Sequence, residues 1–275
     1  MIEIRDLHFF YKKKSPIFEN VSFTMKNGVY GLLGENGVGK TTLLHLICGL
    51  RFAKSGTCEV MGYNSVYRNP NMLSQIFFLP EEFQTHALSI TDYVKYNASF
   101  YPNFSKEQIE WYLTEFQVDR NKKMTELSFG QKKKAMIAFA LALNTPVTLL
   151  DEPTNGLDIP SKAQFRKIIS SITNENRCIV VSTHQVRDLE NIIDPIIILD
   201  YNQVLINNSV EEITQKLKFT QSHIKPENSL YSEQNMGGYS SVEVNTTNVE
   251  STFNIEALFN AVILNKAKIK DIFNS

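Results

Sequence analysis

Apolar residues fall along the chain in short runs of two kinds. Through residue 33 they alternate or cluster as strands do. Ile2-Glu3-Ile4, residues 7–11, 21–25 and 29–33 are the expected strands, with a turn at Lys26-Asn27-Gly28. Lys12-Lys13-Lys14-Ser15-Pro16 reads as a polar, solvated hairpin loop between them. Further strands are expected at 55–63, at 76–79 where Pro80 stops the ladder, at 147–151 and at 178–182. The runs 196–199 and 203–206 form a hairpin around Asp200-Tyr201-Asn202. Helical spacing takes over at 42–48, 132–143 and 162–172, and throughout the stretch from Ser89 to about Asn121. There Thr91-Asp92 is expected to cap a helix carrying Tyr93, Val94, Tyr96 and Phe100. Ser105 caps the next, with Ile109, Tyr112, Leu113 and Phe116 on one face and Trp111 as a packing residue.

Near-continuous apolar strands separated by helices imply an α/β fold, a mostly parallel sheet covered on both faces. In such sheets ligands bind at the carboxyl ends of strands, where Asp151 and Ser182 fall. The opening strands predict an N-terminal antiparallel β subdomain, and the stretch about 85–140 an inserted helical subdomain. After about Asn207 the chain turns rich in Asn, Ser, Thr and Gln. Residues 207–275 read as a small α+β C-terminal appendage. It has a turn at Met236-Gly237-Gly238-Tyr239 and a final helix capped by Asn254, with Ile255, Leu258, Phe259 and Val262 on one side.

Composition narrows the classes. A chain of 275 residues with 43% hydrophobic content buries a sizeable core. A net charge of −1 gives no bulk attraction to nucleic acid, and none is expected as a partner. Three cysteines without a C-x-x-C pair fit buried small hydrophobes in a reducing compartment. No apolar run approaches the ~20 residues of a membrane span, and the N-terminus lacks a signal peptide's pattern. A cytoplasmic location is expected, with any membrane part on another chain.

Gly34-Glu35-Asn36-Gly37-Val38-Gly39-Lys40-Thr41 has the form G-x-x-x-x-G-K-[ST] between a predicted strand and a predicted helix, the context this phosphate-binding loop requires. Glycines let backbone N–H groups approach phosphate, and the helix N-terminus adds partial positive charge. Lys40 should reach the β- and γ-phosphates and Thr41 the Mg²⁺. Thr42 follows within the same helix start. Downstream stand Leu127-Ser128-Phe129-Gly130-Gln131 at a helix start, Asp151-Glu152 at a strand end, and Ser182-Thr183-His184 at the next. One carboxylate can hold Mg²⁺. The other, one residue on and pointing the other way from a strand end, can activate water. Ser128 makes a second anion site from a capping hydroxyl and a helix dipole. Lys132-Lys133-Lys134 at that helix reads as a solvated face.

In this order, over roughly residues 1–206, the sequence resembles the nucleotide-binding subunit of ATP-binding cassette (ABC) transporters. Leu127–Gln131 is similar to the L-S-G-G-Q signature with Phe129 for the first glycine; residues 151–158 are similar to the Walker B strand and D-loop, including Asp158. The resemblance implies a P-loop NTPase core, ATP and Mg²⁺, and Tyr11 stacking on adenine. It implies Glu152 and His184 as catalytic, and Thr41, Asp151 and Glu81 about the metal. It further implies a head-to-tail dimer with a second copy or a homologous cassette. In that dimer Ser128, Phe129, Gly130 and Gln131 cover the opposite subunit's ATP, with Phe129 tolerated if its side chain points off the nucleotide. The dimer works on an integral membrane subunit, placing the chain peripherally on the inner face of the cell membrane. A partner's coupling helix would dock near residues 83–101. Glu81 departs from the family's glutamine and adds a negative charge beside Asp151 and Glu152. Tyr101-Pro102-Asn103-Phe104, Pro80-Glu81-Glu82 and Asn155-Gly156-Leu157-Asp158 look most like the ABC-2 exporter class. The alternative is a soluble ABC ATPase of assembly or mechanical remodelling.

Overall fold

The computed structural model describes residues 1–12, 15–84, 87–172, 176–246 and 249–274. Lys13 and Lys14 of the expected hairpin loop lie outside the described residues. In chain order, β1 (Ile2–Lys12), β2 (Ser15–Met25) and β3 (Gly28–Leu33) lead into α1 (Lys40–Ile47). Next come β4 (Ser55–Val60), β5 (Tyr63–Asn64), α2 (Pro70–Leu73) and β6 (Ile76–Leu79). Helices α3 (Ile90–Asn97), α4 (Lys106–Glu115) and α5 (Phe129–Ala142) precede β7 (Val147–Asp151), α6 (Ile159–Ile172) and β8 (Cys178–Thr183). β9 (Ile196–Asp200) and β10 (Gln203–Asn208) follow, and then α7 (Val210–Lys216), β11 (Leu217–Ser222), β12 (Tyr231–Asn235), β13 (Gly238–Val244), α8 (Ile255–Leu264) and α9 (Lys266–Asn274).

The central sheet has the order β10-β9-β3-β8-β7-β6, parallel except for β10. Alternation along its strands feeds two cores. Val29, Leu33, Ile179, Val181, Ile196 and Ile198 face one side. Tyr30, Leu32, Val180, Ile197 and Leu199 face the other. Each such side chain contributes roughly 1.5–3 kcal/mol of burial, and a charge at Ile197 or Ile198 would be stranded in apolar surroundings. The second core joins α1 to the antiparallel sheet β2-β1-β4-β5, the expected N-terminal subdomain. The first core takes the helices α3–α6 and the C-terminal elements.

Several local expectations are refined. The cap of α3 is Ser89, whose Oγ accepts from Asp92 N–H, and not Thr91-Asp92. Ser105 caps α4 as expected, and Ile109, Tyr112, Leu113 and Phe116 are buried. Trp111 lies beside Tyr112 but is 41% exposed. Helix α5 begins at Phe129, earlier than expected, because Ser128 and Gln131 form a capping box. Helix α6 likewise begins at Ile159, with the Asp158 carboxylate accepting from Ser161 N–H. The three cysteines are buried, and burial pushes the Cys58 and Cys178 thiols up to about 12.

Beyond β10, the strands expected around Met236–Tyr239 are β12 and β13, joined by an unexpected β11 in the order β11-β13-β12. The expected final helix breaks at Asn265 into α8 and α9. Leu258, Ala261 and Val262 of α8 enter the same core as Ile198. Lys266 of α9 pairs with the buried Asp200 at 2.8 Å. Among the described residues, no helix is long and apolar enough to cross a membrane.

Candidate active site

The glycine-rich loop joins β3 to α1 at the carboxyl edge of the sheet. Gly39 at its end has φ 111°, and a Cβ there would lie 2.6 Å from Ile17 Cγ2. Gly34 and Val38 are buried, while Glu35, Asn36 and Gly37 face outward. Helix α1 starts from Gly39 without a side-chain cap, so its first amides are free for a ligand. The Lys40 side chain curls back over the loop. Its Nζ donates to the carbonyls of Gly34 (2.8 Å) and Glu35 (3.1 Å) and lies 3.9 Å from Glu152 Oε1. Burial lowers the Lys40 pKa, while Glu152, Asp151 and Glu81 push it back up.

Thr41 Oγ1 donates to Asp151 Oδ2 at 2.8 Å, joining α1 to the end of β7. Ser182, at the end of β8, donates to Asp151 Oδ1 and accepts from Glu152 N–H at 3.1 Å. Strand alternation would send Glu152 away from Asp151. Instead Glu152 adopts a left-handed backbone, φ 45°, and its carboxylate returns to the same site. Glu152 Oε1 lies 2.8 Å from His184 Nδ1. Glu152 Oε2 is buried and has no hydrogen-bond partner among the described residues.

Two further residues flank this centre. Tyr11, 56% exposed, shares a 3.2 Å hydrogen bond with Thr42 Oγ1 on α1, and the Arg51 guanidinium lies 5.7 Å from its ring centre. Glu81, after β6, accepts from Asn155 Nδ2 at 2.6 Å.

The Leu127–Gln131 segment stands apart as the N-terminus of α5. Ser128 Oγ accepts from Gln131 N–H and Gln131 Oε1 from Ser128 N–H, both at 3.3 Å. Phe129 lies against the loop after β7: a Cβ on Gly156, whose φ is 77°, would sit 2.9 Å from the Phe129 ring. Gly130 is near the Gly156 carbonyl, at 3.6 Å from its would-be Cβ. Asp158 is exposed, and the Ser161 hydrogen bonds lower its pKa.

Sequence reasoning missed Lys133. Read as part of a solvated run, it is fully buried, and its Nζ donates to the carbonyls of Glu152 (2.6 Å) and Asn155 (3.0 Å). The signal was present: Lys133 falls on the same helical face as Met136, Ile137 and Ala140, all of them buried.

Among the described residues, no three His, Cys, Asp or Glu converge as a metal cage. Thr41 and Asp151 nevertheless offer the sparse oxygen set that suits Mg²⁺, an ion that keeps waters and takes phosphate ligands.

A putative ABC transporter ATP-binding protein of Pyrococcus furiosus is 29% identical over 220 residues, covering 77% of this chain and 85% of that one. The ABC transporter ATP-binding protein YtrB of Bacillus subtilis is 27% identical over 219 residues, covering 78% and 74%. A solved ATP-binding subunit of an ABC transporter superposes with a TM-score of 0.70 at 25% identity, covering 78% and 91%. The fold is shared with a dimeric bacterial ABC transporter cassette, at TM-score 0.66, 22% identity and coverage of 76% and 99%. The ABC transporter family model matches residues 18–155 of the 275, and the chain belongs to that family.

Proposed function

We propose that this chain binds and hydrolyses ATP as the motor subunit of an ABC-2-type exporter, in a head-to-tail cassette dimer on a separate membrane subunit. The observation that carries the hydrolytic reading is Glu152: a buried carboxylate with one oxygen on His184 and the other unpartnered, next to the phosphate loop's lysine. An acceptor in that position suits a water aimed at the γ-phosphate.

The residues divide the work. ATP phosphates take over the Lys40 donors now held by the Gly34 and Glu35 carbonyls, and the free first-turn amides of α1 complete the cradle. Thr41 and Asp151 would hold Mg²⁺, which neutralises phosphate charge when bound; Glu81 stands at the next position out, on Asn155. Glu152 Oε2 accepts a proton as the water oxygen bonds to the γ-phosphorus and the bond to the bridging oxygen breaks, leaving ADP and phosphate. His184, held through Nδ1, donates from Nε2–H to a phosphate oxygen when its ring carries both protons. Tyr11 offers its exposed ring to adenine.

The partner reading is supported by two surfaces. The exposed N-terminus of α5, with Ser128 and Phe129 open to solvent, and the exposed Asp158 suit contact with another cassette's nucleotide. An apolar groove of about 360 Å³ between α2, β6 and α3, lined by Leu73, Phe77, Tyr93, Phe100 and Tyr101, suits a short helix of a membrane subunit. It overlaps the docking region expected near 83–101. The peripheral location on the inner face of the cell membrane follows from that partner.

The test is a trapped pull-down. Glu152→Gln should bind Mg-ATP, hydrolyse it very slowly and hold the dimer closed. Solubilised from native membranes with ATP, it should bring down a stoichiometric multi-span protein. A soluble complex with no membrane protein would overturn the transporter reading in favour of an assembly or remodelling ATPase. An absence of hydrolysis by the unmodified chain and its complex would overturn the enzymatic one.

A further inference from the structure

A lysine with no exposed surface is costly unless its charge is matched, and Lys133 is such a residue. It projects from α5 into the loop that follows β7. Its ammonium bonds to two carbonyls of that loop, Glu152 at 2.6 Å and Asn155 at 3.0 Å. Those carbonyls bracket the tight turn in which Glu152 takes its left-handed conformation, where Asn155 N–H also donates back to Glu152 O. A left-handed glutamate persists only where its surroundings over-determine it. Two cation bonds on the carbonyls of this turn are such a constraint.

The same lysine feels three carboxylates. Burial lowers its pKa, and Glu81, Glu152 and Asp151 each push it back up. It also reaches Glu81 through the chain: Asn155, whose carbonyl it holds, donates from its side chain to Glu81 Oε1 at 2.6 Å. The Phe129 ring, 5.6 Å from the ammonium, covers it from the helix side.

We propose that Lys133 is a positioning residue for hydrolysis: its buried ammonium grips the Glu152 and Asn155 carbonyls, fixes the turn that carries the Glu152 carboxylate, and is coupled to Glu81 through Asn155. Because Lys133 rides on the helix that opens at Ser128, it ties the surface offered to a second cassette to the carboxylate serving the chain's own nucleotide. This inference rests on the hydrolytic reading above. It adds that the turn, and not only the carboxylate, is set by a cation from the signature helix.

The experiment uses the purified full chain with Mg-ATP, measuring phosphate release and the binding of a fluorescent ATP analogue. Lys133→Met should lower turnover at saturating ATP by roughly tenfold to a hundredfold, the penalty of a misplaced catalytic group, with KM and analogue affinity within about twofold of the parent. Lys132→Met, which removes a neighbouring, partly exposed cation, should change turnover by less than about twofold. Glu81→Gln should raise turnover about threefold or more in the Lys133→Met background and by clearly less in the parent, a non-additivity that reports coupling between the two side chains. If Lys133→Met does not fold, Lys133→Gln, which keeps an N–H donor without the charge, is read the same way. Unchanged turnover in the Lys133 variant, equal losses of turnover and nucleotide binding, or strictly additive effects with Glu81→Gln would each overturn the proposal. No turnover by the parent would instead overturn the hydrolytic reading.

Discussion

Helices α1 and α5 both present an N-terminus of the kind that attracts anions, yet their first turns are built oppositely. Helix α1 starts from a left-handed glycine with no side-chain cap. Helix α5 starts from a serine in a complete capping box. An uncapped turn is a poor way to stabilise a helix and a good way to keep N–H groups open for phosphate. A capped turn has already used part of its donor set on itself. Helix α5 therefore offers a hydroxyl, a dipole and a surface, and suits a nucleotide whose phosphates are mainly held elsewhere. On the proposed function, the difference separates a primary phosphate site from a covering one.

The sharpest way to break this comparison is at the carboxylate that α1 faces. Glu152→Gln should lower turnover by about 10²–10⁴-fold while leaving ATP bound, measured by phosphate release against equilibrium nucleotide binding. Lys40→Met tests the primary site itself: ATP affinity should fall roughly 10–100-fold as charge-assisted hydrogen bonds are lost, read by titration calorimetry. Ser128→Ala tests the covering site. Loss of the cap should cost about 1 kcal/mol in denaturant unfolding. ATP binding to the monomer should be unchanged, while hydrolysis by the dimer falls. Equal loss of monomer binding would erase the distinction between the two helices.

The smallest effect is farthest from both. At Asp200, burial favours the neutral acid, but bonds from Lys266, Gln203 and the Tyr201 N–H outweigh it and lower the pKa. A carboxylate with a lowered folded pKa stabilises above its unfolded value, near ~4, and that stability is lost as pH falls through the folded value. Lys266→Met should therefore cost less than about 1 kcal/mol at neutral pH, since Lys266 is partly exposed, and the deficit should close in acid below ~4. Thermal melts across pH check it. A deficit that persists in acid would assign Lys266 a packing role instead.

What the sequence made legible was local chemistry. The phosphate loop, the carboxylate pair after an apolar strand, and caps such as Ser105, Ser128 and Asn254 are read from neighbours within four residues, because that is the range over which they act. The misses lie where distant segments decide. Lys133 belongs to a run of three cations and is buried only because the loop after β7 supplies two carbonyls. Glu152 points with Asp151 because a left-handed turn overrides alternation. Strand β11 carries a mixed pattern and exists by pairing with β13, about twenty residues away in sequence. Helix α9 looks like a continuation of α8 until Asn265 interrupts it and Lys266 finds Asp200.

The sheet order also constrains how the protein is born. Strand β3, which leads into the glycine-rich loop, is made long before its partners in the finished sheet, β8 and β9. At roughly 5–20 residues per second, the chain waits on the order of 10–30 s before Cys178–Thr183 and Ile196–Asp200 emerge to flank it. Throughout that interval the loop hangs from an apolar strand that lacks both its sheet neighbours. Strand β3 stays without its full pair of sheet neighbours until Asp200 has been made.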